Sequence, residues 1–589
     1  MRKLIIGGAV LAFAVSAVAC VSDDSSGPSN DDAGSPAQDD GGSPPQQDAT
    51  VNDAGNDAPS SDGSSSDGSS NDATPNDTGT DTGVDASDAN VPSAALATPD
   101  GGSTADAGFP QMNLVEELTT GTVNNQQGEA VAALPGGGFV WAAQYQVAIG
   151  GTYDFANWPA SGWQSKGAYD ILVANTNGAP STWWGQSFGS AGINDQDLCI
   201  RGTIATLPNG DILFTGSHAG TLAIGATQLP SNGNYDVFLA RMGNAAGSGS
   251  TGQGVTFGGT ATDGAQTIAV SPDGKWVAIG GYFASPTMAV PGVAAALTHS
   301  VDSTDGAVVD FPQSSDGWLA IGSTTLGTFV YAAAFGAGGV DDEVTALAFD
   351  TDDNLYVGGY ASGAATFPPV IGVGGQGQED GFVIQLGYSN PDAGATPVWG
   401  SSGWSYPIGT PGNDDVQGIA VDASNHVWVA GMYGGALEIG TTALPASTAG
   451  STGFLASFDQ SGTSLFASGA AGNGQILPYG IAIDKGAGAG NGDVYLIGLL
   501  AGQATWGGPP LVGVAYPNSA LLRFSSAGTL LSQFAFVGAG DAVYESVAVD
   551  ATSHDVAVTG YVQQATNFGD GVTSAWFGGW DTVYALYHY

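Results

Sequence analysis

The stretch DDEVTALAFDTDDNLYVGGY, Asp341 to Tyr360, decides the fold. It reads as acidic lead-in, apolar strand, polar turn, apolar strand, glycine. From Val344 to Phe349 the side chains alternate between two faces at period two, the spacing of a short strand packed between sheets. Asp350 to Asn354 supply the Asp and Asn chemistry of a tight turn, and Leu355 to Tyr360 are rich in β-formers. Two antiparallel strands are expected.

The unit recurs. Clear copies begin at Ile204 (IATLPNGDILFTG), Ile268 (IAVSPDGKWVAIGGY), Ile419 (IAVDASNHVWVAGMY) and Val547 (VAVDATSHDVAVTGY). A weaker copy begins at Val131, and one with a longer turn at Ile481. Aligned, they place Gly137, Gly210, Gly274, Asp353, Asn425 and Ser553 at one turn position, residue types that accept a left-handed backbone. Gly216, Gly280, Gly359, Gly431, Gly498 and Gly560 follow the second strand, where only a small residue fits. A third strand comes next, as in YDILVAN, YDVFLAR and DGFVIQL, often entered by an aspartate such as Asp170, Asp236, Asp380 or Asp581. A fourth strand follows in six of the seven copies, and the seventh reaches Tyr589 without one. NLVEELTTG, from Asn113, is expected to supply the missing strand and leave no exposed edge. The expectation for 110–589 is an all-β, seven-bladed β-propeller of four-stranded antiparallel blades.

Residues 1–20 have the form of a bacterial export signal: Arg2 and Lys3, an apolar run from Leu4 to Val15, then Ala17-Val18-Ala19-Cys20. A cysteine directly after such a small-residue site resembles the lipobox of bacterial lipoproteins, which implies cleavage before Cys20 and a lipid on its thiol. By the enterobacterial sorting pattern, Val21 permits transfer to the outer membrane, so an outer-membrane or cell-surface address is expected. Residues 21–109 are built from Asp, Ser, Gly, Asn, Ala, Pro and Thr, too polar and too uniformly charged to bury a core, and are expected to form a disordered tether.

The chain carries 55 Asp plus Glu against eight Lys plus Arg, a formal charge of -47. Such a surface repels phosphate backbones, which excludes nucleic acid as a partner, and it admits divalent cations. A monomer is expected. Cys199 stands alone beside Leu198 and Ile200 and reads as a buried apolar residue rather than half of a disulfide.

IAVDASNHVWVAGMY, its lead-in Asp414-Asp415 and the later GFLASFDQSGTSLFASGAAGNG together resemble the bacterial seven-bladed β-propeller repeat, the SBBP repeat. The resemblance implies the fold over Asn113 to Tyr589 and no catalytic residues.

Acidic lead-ins recur before the first strands: Asp195 and Asp197, Asp263, Asp341 and Asp342, Asp414 and Asp415, and Asp541. Oxygen ligands at one place in successive blades could hold Ca2+ at Asp341, Asp342, Asp414, Asp415 and Asp541; the alternative is that each Asp bonds its own turn. Gly185-Gln186-Ser187-Phe188-Gly189 matches G-x-S-x-G by letter but falls at the end of a fourth strand, not at a strand-to-helix turn. Trp158, Trp163 and Trp404 suit sugar stacking if exposed. Three classes of function follow: a lipid-anchored binding module for protein or glycan, a polysaccharide hydrolase or lyase acting in the central channel, and an envelope scaffold. Facing carboxylates with an arginine at the channel mouth would favour the enzyme, and an aromatic rim would favour binding.

Overall fold

The computed structural model describes most of the chain from Met112 to His588, with breaks in several loops, and three short strands before it, Arg2–Ile6, Ala9–Phe13 and Ala95–Ala97. Cys20, most of 1–20 and 21–109, Trp158 and Asp195 lie outside the described residues. The described residues are all-β, and two short 3-10 turns, Pro180–Thr182 and Ser248–Thr251, are the helical elements among them.

Among the described residues, seven antiparallel sheets of four main strands follow one another in sequence. Their first strands are Gln126–Ala133, Ile204–Thr206, Asp263–Val270, Asp342–Phe349, Asp415–Val421, Gln475–Ile483 and Ala542–Val549. In the second sheet this strand is interrupted: Asp197–Leu198 and Ile204–Thr206 pair separately with Ile212–His218. The seventh sheet takes its outer strand from the other end of the sequence, as Asn113–Thr120 pairs antiparallel with Asp581–His588.

Each sheet is apolar on both faces, so each needs a neighbour on both sides. Phe335 of the third sheet packs on Phe382 of the fourth, and on Phe367 of the hairpin inserted between that sheet's second and third strands, at ring separations of 5.2 and 5.3 Å. The last such core joins the seventh sheet to the first: Trp141 and Leu172 pack with Ala548, Ala557 and Tyr584. Trp141 stacks on Tyr584 at 6.1 Å and 24°. Burying rings of this size contributes about 2–3 kcal/mol each.

The turn after the first strand is pinned by backbone conformation. Gly137, Gly210, Gly274, Asp353 and Asn425 all have positive φ, as the repeat alignment requires. In the last copy the left-handed residue is His554 (φ 62°), not Ser553, because the turn DATSHD is one residue longer than DASNH. The turns also bond across sheets. The Gly138 N–H donates to Asp550 at 2.7 Å, the Thr351 hydroxyl to Asn425 at 2.9 Å, and His554 Nδ1 lies 2.6 Å from Asp484.

The strand Asn113–Thr120 carries two inward acids. Glu117 is buried at 1% exposure beside Tyr544, and its carboxyl accepts from the Thr119 hydroxyl. Burial pushes Glu116 and Glu117 up to about 7 from an ordinary 4.5. A raised folded-state value means that the protonated form fits the fold, so this stability is complete below pH 4.5 and is lost as pH rises through 7. Glu117→Gln is therefore expected to recover on the order of 2 kcal/mol at pH 8 and little at pH 4, flattening the pH dependence of urea unfolding. An unchanged pH slope would show that Glu117 stays ionised in the fold.

Candidate functional site

In six of the seven sheets the first strand slips by one residue against the second. The extra residues are Glu129, Gln266, Thr345, Gln417, Tyr479 and Glu545. A bulge of this kind re-aims a side chain and kinks its strand. It also explains the repeat glycine. A Cβ on Gly359, Gly431, Gly498 or Gly560 would lie 1.9, 2.0, 2.1 or 2.1 Å from the carbonyl oxygen of Glu343, Asp415, Leu477 or Val543. In the third sheet the equivalent residue is Gly281, 2.2 Å from Gly264 O, rather than Gly280, since Gly280 pairs beyond the bulge with Thr267.

The second sheet has no bulge of this form; its first strand is broken instead, and Arg201 occupies the gap. The Arg201 guanidinium lies 3.8 Å from the centre of the Tyr479 ring in the sixth sheet and is ion-paired with Glu545 in the seventh. An arginine of the second sheet can meet both only in the space between the first strands. Burial opposes the charge on Arg201, and Glu545, Tyr479, Glu129 and Asp415 more than offset it, so its pKa is raised. Around it, the Gln144 amide donates to Glu129 at 2.6 Å, Gln266 to Glu343 at 3.2 Å, and Gln417 to Asp415 at 2.8 Å. Burial pushes Asp415 up to about 7, with Glu379 adding to the effect. Half-buried Tyr360 and buried Tyr561 have pKa values raised by desolvation and by these same carboxylates. The result is a carboxylate-rich cluster between first strands, bordered by tyrosines, with one embedded guanidinium.

Of the acidic lead-ins, Asp415 alone was both singled out in the sequence and drawn into this cluster through Arg201. Asp342 accepts the Ala337 and Ser362 N–H groups at 2.9 and 2.8 Å, and Asp414 those of Thr410 and Gly434 at 2.5 and 2.9 Å. Asp263 binds Gly259, Ala284 and Ser285 in the same way, so these aspartates tie the loop before a sheet to the end of its second strand. The Asp341 carboxylate receives the Ser315 hydroxyl at 3.2 Å, and Asp541 is buried near Tyr561. No group of three or more His, Cys, Asp or Glu arranged to hold a metal ion occurs among the described residues.

Trp163 and Trp404 belong to different sheets and are not brought together. Each is half-buried, and their indole N–H groups donate to Gly185 O at 3.2 Å and to Gln460 O at 3.0 Å. Trp404 also packs on Tyr356 and Phe458. The G-x-S-x-G serine, Ser187, lies within the strand Trp184–Phe188 and shares a hydrogen bond of 2.6 Å with the Tyr145 hydroxyl. Arg241 and Arg523 sit on third strands and pair with Asp211 and Asp493, each at 2.6 Å. Cys199 is buried at 1% exposure in the core between the first two sheets.

No known family and no curated protein matches the sequence. Among solved structures, the chain is similar to Chaetomium thermophilum Sqt1, determined bound to the N-terminus of the ribosomal protein L10. That likeness is 10% in identity with a TM-score of 0.32, over 75% of this chain and 95% of the other. At that level it says nothing of what this chain binds.

The bulge geometry predicts which glycines are indispensable. Gly560→Ala is expected to cost about 1–3 kcal/mol in urea unfolding, because its Cβ has no room against Val543 O beside the Glu545 bulge. Gly136→Ala, where a Cβ meets nothing within 4 Å, serves as the neutral comparison. Equal stabilities for the two variants would mean that the bulge does not impose the glycine.

Proposed function

We propose that the seven sheets close into a seven-bladed β-propeller and that this protein is a lipid-anchored binding module of the cell envelope, which takes a basic segment of a protein partner at the carboxylate-rich end of its central channel. The convergence of Glu129, Glu343, Asp415 and Glu545 from four different sheets, walled by Tyr360, Tyr479 and Tyr561, carries this reading. Carboxylates beside aromatic faces are the complement of lysine and arginine side chains, through ion pairs and cation–π contacts together. Arg201 on the Tyr479 ring is an example of that pairing within the chain itself. The formal charge of -47 adds long-range attraction for a basic partner. Support for the closed ring comes from the core that packs the seventh sheet on the first and from the Gly138–Asp550 turn contact.

One observation favours the alternative of polysaccharide cleavage in the channel. Asp415, protonated up to about pH 7 by burial, shares the site with Glu545, which is paired to Arg201, so two carboxyl groups stand in unlike electrostatic settings. That contrast is what an acid and its partner carboxylate require. A scaffold role remains if neither ligand is found.

A full-length Cys20→Ser protein, titrated with Lys- and Arg-containing decapeptides, is expected to bind them and to lose at least tenfold in affinity between 50 and 500 mM salt. Glu343→Gln with Asp415→Asn is expected to weaken binding at least tenfold again. Affinity should rise from pH 6 to pH 8, as Asp415 gives up its proton. Salt-independent binding, or none, would defeat the basic-segment reading, and release of sugars from a polysaccharide panel, abolished by Asp415→Asn, would favour cleavage. The anchor is tested separately: radiolabelled palmitate should label the native chain in a bacterial host and not the Cys20→Ser variant.

A further inference from the structure

In the second sheet, residues 199–203 stand opposite only Thr215 and Gly216, between the pairs Leu198–Ser217 and Ile204–Phe214. The bulges of the other six sheets insert a single residue, so this break is the larger irregularity. Arg201 is carried on it. The chain re-enters the sheet through Gly202 (φ 72°), whose carbonyl accepts the Ile268 N–H of the third sheet at 3.0 Å. A Cβ on Gly202 would meet nothing closer than 3.9 Å, so the turn has room on that side.

Arg241 and Arg523 show how this fold holds an arginine for structure. Each lies on a third strand and directs Nε and Nη2 to one aspartate just before the second strand of its own sheet. For Arg241 that is Asp211, at 3.0 and 2.6 Å, and for Arg523 it is Asp493, at 2.8 and 2.6 Å. Arg241 Nη1 donates in addition to Thr324 O at 2.8 Å. Arg201 is held differently. Its Nε meets Glu545 of the seventh sheet, its guanidinium lies over the Tyr479 ring of the sixth, and its Nη1 is buried without a hydrogen-bond partner. A guanidinium carries five N–H donors, and a nitrogen left unmatched in a buried place costs stability. An arginine kept only as a brace would use its fork, as the other two do. The Arg201 and Glu545 side chains also keep 17% and 12% of their surface exposed, so the contact can be reached from solvent.

We propose that Arg201 is the chain's own occupant of an arginine-binding place, and that an arginine of the partner's basic segment displaces it from Tyr479 and Glu545. This proposal rests on the basic-segment reading above and names arginine, rather than lysine, as the residue taken. A flat guanidinium stacks on a tyrosine ring while its edge keeps N–H donors for a carboxylate, and a compact ammonium cannot do both. The backbone around Arg201 stays fixed on both sides during the exchange. Cys199 is held in the core of the first two sheets and Gly202 is bonded to the third, so one side chain has to leave.

The test is titration of the full-length Cys20→Ser protein and its Arg201→Ala variant with two decapeptides that differ only in carrying Arg or Lys. Arg201→Ala is expected to bind the Arg peptide at least tenfold more tightly than the parent does, with a gain of threefold or less for the Lys peptide. Loss of a mere brace would weaken binding instead. Arg201→Gln, which keeps the side-chain length and removes the guanidinium, should show the same gain. Adding Tyr479→Leu to Arg201→Ala should bring the two peptides to equal affinity. Methylguanidinium should raise the melting temperature of Arg201→Ala and leave the parent unchanged, and methylammonium should raise neither. Tighter binding of the Arg peptide by both Arg201 variants supports the proposal even where the parent binds nothing. A parent that binds the peptides while neither variant binds more tightly overturns the proposal and leaves the basic-segment reading standing. Equal gains for the Arg and Lys peptides overturn it as well, and binding by none of the proteins overturns both.

Discussion

A sheet with two apolar faces cannot end a stack, and that constraint organises this protein. Neighbouring four-stranded sheets bury their apolar faces on one another, and residues of the first and seventh share a core. The Trp141–Tyr584 contact and the core around it are where that requirement is met. The same constraint fixes the chain path, since a strand from before the first sheet must pair with the final strand of the sequence.

Packing both faces leaves one edge of each sheet over for other chemistry. The first strands have no partner on their inner side, so their side chains stand nearest the space they share, with Gln144, Tyr360 and Tyr561 of second strands beside them. The bulges exploit this position. One extra residue per strand turns Glu129, Gln266, Gln417, Tyr479 or Glu545 away from the apolar interfaces, and a glycine on the second strand gives the displaced carbonyl room. Polar groups gather at the bulged end of the first strands, while at the other end the regular alternation sends Phe349, Val421 and Ile483 into the cores between sheets. The two ends thus differ because the strands are irregular at one end and regular at the other.

Much of the fold was legible in the sequence, for physical reasons. Period-two alternation, turn residues with positive φ and aspartates opening third strands each have a local cause that survives in one-dimensional form. The strand at Asn113 was legible because the last repeat lacked one. Small errors arose where loop length shifts the alignment: His554 took the position assigned to Ser553, and Gly281 that assigned to Gly280. The polar end of the cavity was not legible, although a signal was present. The bulge residue stands two places before the aliphatic-Ala pair of each first strand, as in Glu129-Ala-Val-Ala, Gln417-Gly-Ile-Ala and Glu545-Ser-Val-Ala. Alternation alone treats that position as one more strand residue, and Arg201 lies in a break that no repeat shares. Convergence across the axis is a property of the assembled sheets, which explains why Asp415 was noticed as a turn acid and not as a neighbour of Arg201.

The strand that completes the seventh sheet is also where force would enter. A pull from the N-terminal side meets the fold at Ala95–Ala97, which pairs with Glu117–Thr119, and then at the ladder between Asn113–Thr120 and Asp581–His588. That ladder is the one pairing that joins Ala95–Ala97 and Asn113–Thr120 to the other three strands of the seventh sheet, which lie together within residues 542–588. Under tension the protein therefore has a defined point of yield. Opening that ladder unpairs one strand of the seventh sheet and leaves the pairings among Ala542–Val549, Val556–Val562 and Asp581–His588 in place.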